Sequence, residues 1–146
     1  MQRQMIFAVI VVFALSFASG TTAFSEPNMQ EGNWEIKGEV KLEGMPFPMP
    51  PMPFSYSNCL TKKDMVPQKK EKGQECTPVS SKVQGDNVTW VMKCTDKNGA
   101  ITESTGKVTY KGKEFSGTMK NVTTDKKGAQ SVSNLTMSGT RIGDCK

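Results

Sequence analysis

The chain has no histidine in its 146 residues. That absence removes the Ser-His-Asp and Cys-His constellations, histidine metal sites and most routes to hydrolysis at neutral pH. No G-x-x-x-x-G-K pattern is present to cradle a phosphate. There is no C-x-x-C pair, and the spacing of Cys59, Cys76, Cys94 and Cys145 fits no common zinc site. Lysines come in small groups (Lys62-Lys63, Lys69-Lys70, Lys126-Lys127) without interleaved aromatics, so the footprint of a nucleic-acid binder is missing. A glycosidase-like carboxylate pair is the remaining enzymatic option, yet the acidic residues fall on wet strand faces or in turns. These exclusions point to a protein that is not an enzyme and needs no cofactor.

A basic start at Arg3, an apolar run from Met5 to Phe17 and small residues at Thr21-Thr22-Ala23 read as a secretory signal peptide over residues 1–23. The run is shorter than the roughly 20 residues that span a bilayer. Cleavage leaves residues 24–146, one domain's worth of chain, with no transmembrane segment expected in it. Because Arg3 is the only charge removed, 18 basic residues then face 14 acidic ones, a net charge of +4. That mild excess reads as a solvated surface.

An even number of cysteines in an exported chain points to two disulfides. Pro78 to Gln84 and Val88 to Thr95 read as strands flanking the turn signal Gly85-Asp86-Asn87, and folding that hairpin sets Cys76 opposite Cys94. Cys59 is then left for Cys145. The N-x-T triplets at Asn87, Asn121 and Asn134 are expected from threonine-rich strands and carry no weight.

Period two dominates the mature chain. In "NWEIKGEVKLE" the residues Trp34, Ile36, Val40 and Leu42 alternate with Glu35, Lys37, Glu39, Lys41 and Glu43, the pattern of a half-buried strand with a charged outer face. The alternation recurs in Val88, Trp90, Met92 and Cys94, in Val108 and Tyr110, in Phe115, Gly117 and Met119, and in Leu135, Met137 and Gly139. Turn signals separate these runs. Only "LTKKDMV" reads as a short helical turn, with Thr61 as its N-cap. Seven or so short strands without a useful helix predict an all-β domain, an antiparallel meander forming a curved sheet or small barrel, with a sandwich as the alternative.

The segment "GMPFPMPPMPF", residues 44–54, is free of charge and rich in proline. Its prolines favour an extended polyproline-II course, on which Met49 and Met52 share a face about 9 Å apart. Every face of such a rod is apolar, so it either packs across the sheet or stands out as a contact ridge for an apolar small molecule or an envelope protein, with Phe47, Met49, Met52 and Phe54 as contacts. Thioethers also suit Cu(I), which makes Met45, Met49 and Met52 an alternative metal site. A rigid rod does not converge three sulfurs without a bend or a further donor such as Met92 or Met119.

Taken in order, Gly32-x-Trp34-Glu35, the Met-Pro run, Cys59-Leu60-Thr61, Trp90-x-x-x-Cys94, Gly106-x-Val108-x-Tyr110, Phe115-x-Gly117 and Ser138-Gly139-x-Arg141-x-Gly143-x-Cys145 resemble the bacterial exported family catalogued as domain of unknown function 3617. The resemblance covers nearly the whole mature chain. It implies a periplasmic or extracellular location and brings no catalytic residues with it. Arg141 has two readings, a ligand-facing cation or a cap on the disulfide-tied terminus, and the second is the more economical. The expected function is a non-enzymatic binding or interaction module, with Cu(I) handling as the alternative.

Overall fold

The computed structural model describes residues 26–68 and 72–146. The expected signal peptide, residues 1–23, lies outside them. Seven strands follow in order: β1 Gly32–Glu43, β2 Met52–Leu60, β3 Glu75–Gln84, β4 Asn87–Thr95, β5 Ile101–Lys111, β6 Glu114–Thr124 and β7 Gln130–Gly143. All join one antiparallel sheet in the order β2-β1-β7-β6-β5-β4-β3. The sheet is open, with β2 and β3 as its edges, so neither the closed barrel nor the two-sheet sandwich forms.

The edges carry features that discourage pairing with another chain. Pro53 lies in β2, where a missing N–H is tolerated on the unpaired side. In β3, Pro78 begins a register shift against β4. The outer face follows the sequence pattern, with Lys37 paired to Glu35 at 2.9 Å in the open.

The other face holds the core and curls around it. Three inter-strand steps, about 14 Å on a flat sheet, separate β1 from β5. The rings of Trp34 and Tyr110 nevertheless meet edge-on with centroids 5.9 Å apart. Phe115 completes the cluster, 5.6 Å from Trp34 and 5.5 Å from Tyr110. Large rings fit this concave face because glycines stand beside them. A Cβ on Gly106 would meet the Trp90 ring at 2.1 Å, and one on Gly139 would meet Phe115 at 2.1 Å.

Residues 61–68 cross the gap between the edge strands as a strap. Tyr110 donates its hydroxyl to the carbonyl of Met65, and Tyr56 donates to that of Pro67 at 2.6 Å. Met65 and Val66 pack on the core beneath. The strap begins with a tight turn in place of the expected short helical turn: Asp64 N–H donates to the Thr61 carbonyl at 3.0 Å and lies 3.2 Å from its hydroxyl oxygen. Thr61 therefore acts as a local acceptor, as a cap would, but no helical run follows it.

Cys76 and Cys94 are register partners on β3 and β4 and are bonded, and Cys59 is bonded to Cys145. The second bridge spans 86 residues. On the chain-entropy model a closure of that length contributes on the order of 4 kcal/mol. Two closed disulfides belong to an oxidising compartment outside the cytoplasm.

Two expectations follow from this packing. Gly106→Ala, by displacing a buried tryptophan ring, lowers stability by about 1–3 kcal/mol, measurable by urea unfolding with tryptophan emission. Burial pushes the Tyr56 hydroxyl up to about 12 and raises that of Tyr110 in the same direction, with Asp64 adding to the second shift. In the unfolded chain tyrosine ionises near pH 10, so the unfolded state loses its protons first. The stabilisation is complete below about pH 10 and is lost as pH rises toward the folded values. Tyrosinate absorbance and circular dichroism should therefore change together in that range.

Candidate functional site

The registers arrange the concave face as rows running across the strands. Nearest the closed end lie Ile36, Gly139, Phe115 and Tyr110, then Gly38, Met137, Gly117, Val108 and Val88. Val40, Leu135, Met119, Gly106 and Trp90 form the third row. Up to this row the face is apolar. Beyond it the chemistry changes: Ser133, Asn121 and Ser104 are aligned across β7, β6 and β5, followed by Thr123 and Thr102.

At this change of chemistry the face carries a partly open cavity of about 360 Å³. Its apolar wall is Val40, Phe54, Met119 and Leu135, and its polar wall is Ser104, Asn121, Ser133, Thr102 and Thr123. Tyr56 and Gln68 contribute from the β2 side and the strap. Phe54 and Tyr56 stack with centroids 5.9 Å apart, holding the aromatic side of the cavity in place.

The polar groups of this wall are incompletely paired. Thr102 and Thr123 satisfy each other at 2.9 Å. Ser104 is only 1% exposed, yet its hydroxyl has no hydrogen-bond partner among the described residues, and neither has Asn121 Oδ1 or Gln68 Oε1. The Gln68 side chain makes a long contact through Nε2 to Cys94 Sγ, at 3.8 Å, while its backbone bonds to Val66 and Asn58. Leaving such atoms unpaired in a buried place costs roughly 1–3 kcal/mol each. Trp90 Nε1 is likewise unpaired, in the adjoining apolar row.

A second cavity, of about 430 Å³, lies where Pro27 and Met65 face Ser81, Lys82 and Val83 of β3. The exposed Lys62–Glu26 ion pair stands at its rim, 2.5 Å between charged atoms. Its walls are largely surface side chains, and among the described residues none of the unpaired buried atoms belongs to its lining. The concave-face cavity is therefore the candidate site.

The residues expected from sequence are scattered. Phe54 lines the cavity. Phe47, Met45, Met49 and Met52 are exposed, Phe47 at 75%, so the proline-rich segment does not pack across the sheet as one of its readings required. Its rod is also shorter than expected, since Met52, Pro53 and Phe54 already belong to β2. Met119 lines the cavity, whereas Met45 and Met49 stand on the connection between β1 and β2. Arg141 is at the other end of the sheet, where it donates from Nε to the Glu31 carbonyl at 2.7 Å and pairs with Asp144. It caps the terminus beside Cys145.

Ser104, Asn121 and Gln68 were not singled out from sequence. A signal for the first two existed: Ser104 is in phase with Val108 and Tyr110, and Asn121 with Phe115 and Met119. Polar residues at inward positions of an alternating strand mark either a satisfied network or a site.

Compared with known families, residues 29–145 match the one described as "Protein of unknown function (DUF3617)", and the chain belongs to that family. No curated protein and no solved structure matches it.

If the Ser104 hydroxyl is held without a partner, Ser104→Ala should leave the fold unharmed or stabilise it by up to about 1 kcal/mol. Urea unfolding of the apo protein checks this. A loss above that size would show that the hydroxyl is bonded in the native state.

Proposed function

From a family whose description assigns no activity, we propose that this chain is a non-enzymatic binding module, exported to the bacterial periplasm, which carries a small ligand in its concave-face cavity. The observation that carries the reading is that Ser104, Asn121 and Gln68, each with a buried polar atom left unpaired, line one cavity. At about 360 Å³ it lies at the small end of the range for ligand sites. Its other wall is hydrophobic, as such sites usually are. A carrier needs no acid, base or nucleophile, and none of the described lining residues is an acid or a cation.

Export is supported by the signal-like start and by the two disulfides. The exposed segment around Phe47 and Met49 is a second contact surface in this reading, placed where β1 and β2 join, at the end of the sheet carrying the polar rows. The Cu(I) alternative would use Met45, Met49 and Met52 on that segment and would not involve the cavity.

Native mass spectrometry of the mature protein from a bacterial periplasm separates these readings. The expected result is an adduct of small organic mass that disappears in Leu135→Trp, a substitution that fills the cavity. An apo mass in both proteins, with copper uptake abolished by replacing the three methionines with serine, would favour the copper reading. No organic adduct and no copper uptake would remove both.

A further inference from the structure

Methionine is divided unevenly between the core and the surface, and the division picks out one segment. Among the described residues, Met29, Met119 and Met137 are buried in the core at 9% exposure or less, and Met65 and Met92 pack against it. Met45, Met49 and Met52 are exposed, at 40 to 49%, and lie on the β1–β2 connection or at its junction with β2. From this partition we infer that the connection is a methionine oxidation site, at which peroxide converts Met45, Met49 and Met52 to sulfoxides while the sheet stays folded. The inference is independent of the cavity.

Each conversion is a two-electron step. The thioether sulfur attacks one oxygen of hydrogen peroxide, the O–O bond breaks, an S–O bond forms and, after proton transfer, the second oxygen leaves as water. The sulfur has to meet the oxidant directly, so exposure decides which methionines react. Among the described methionines only these three precede proline, at Met45-Pro46, Met49-Pro50 and Met52-Pro53. A residue before proline is pushed to an extended backbone, which holds the segment open instead of letting it coil over its own sulfurs. A Cβ built on Gly44, at the start of the connection, would meet nothing within 4 Å. Two closed disulfides belong to an oxidising compartment, away from the thiol pools of the cytosol. A sulfoxide is polar where the thioether was apolar. In the core it would sit among the packed side chains around Trp34 and Tyr110, whereas on the connection it is hydrated. Oxidation therefore turns the apolar stretch around the exposed Phe47 into a mixed surface and spares the fold.

Peptide mapping of the mature protein after treatment with limiting hydrogen peroxide tests the assignment. Met45, Met49 and Met52 should each oxidise at least tenfold faster than Met29, Met119 and Met137, and the selectivity should vanish in urea concentrated enough to unfold the chain. The product carrying only those three sulfoxides should keep its circular dichroism and its urea midpoint, and should elute earlier from a phenyl column. A variant with Met45→Leu, Met49→Leu and Met52→Leu should show no such peroxide-dependent change in elution. Selectivity below tenfold in the folded protein, or selectivity that persists in urea, would overturn the assignment. A lowered urea midpoint in the triple sulfoxide, or unaltered elution, would overturn it as well.

Discussion

A single sheet with one apolar face has to bury that face without a second layer to cover it. Domains ordinarily solve this by packing two layers together. Here the sheet curls on itself, and the rest of the structure follows from the curl. Trp34 and Tyr110 touch across three strand spacings, which requires the intervening strands to yield room. Gly139 on β7 provides it by leaving space beside Phe115, and Gly106 on β5 does the same for Trp90 of the next strand, β4. The strap at residues 61–68 then covers the gap that curling leaves between β2 and β3, fastened by the hydroxyls of Tyr56 and Tyr110.

Such a curl is filled only where the side chains are large. The rings of Trp34, Tyr110 and Phe115 fill one end of the curl, and Met29 and Leu60 are buried with them. Toward the β1–β2 connection the inward residues of β5, β6 and β7 shrink to Ser104, Thr102, Asn121, Thr123 and Ser133, although Leu42 and Met92 flank them on β1 and β4. The cavity is therefore a consequence of side-chain size along the strands. Its polar wall is a separate choice, because alanine or valine at Ser104 would satisfy the same geometry without an unpaired hydroxyl. Stability alone does not account for that hydroxyl.

Much of the architecture was legible because its signal is local. The alternation in β1, the Gly85-Asp86-Asn87 turn and the limits of β6 at Glu114 and Thr124 each rest on a few adjacent residues. The Cys76–Cys94 pairing follows from one hairpin, and the other disulfide from elimination. Strand β2 was hidden by its own Pro53, which argues against a central strand and is admitted at an edge. The helical reading of residues 60–66 failed because Thr61 and Asp64 close a four-residue turn and the chain beyond it is held in the strap by tyrosines from distant strands. Long-range partners of that kind leave no local trace. The site was the least legible part, since an inward serine looks like an interruption until its neighbours across the sheet are known.

The exposed proline-rich connection joins these two aspects. Prolines restrict residues 44–51 in the unfolded chain as well as the folded one, so the connection is held extended at little entropic cost even without packing partners. It leaves β1 after Glu43 and re-enters at Met52, two residues before Phe54 turns into the cavity wall. A contact made at Phe47 or Met49 is therefore mechanically close to the apolar side of the site. The charged outer face resists association, the opposite end is fastened by Arg141 and the Cys59–Cys145 bridge, and Met45, Phe47, Met49 and Met52 leave an exposed apolar stretch on the β1–β2 connection. A sheet fastened at one end and bearing an exposed apolar connection at the other is consistent with the carrier role proposed above.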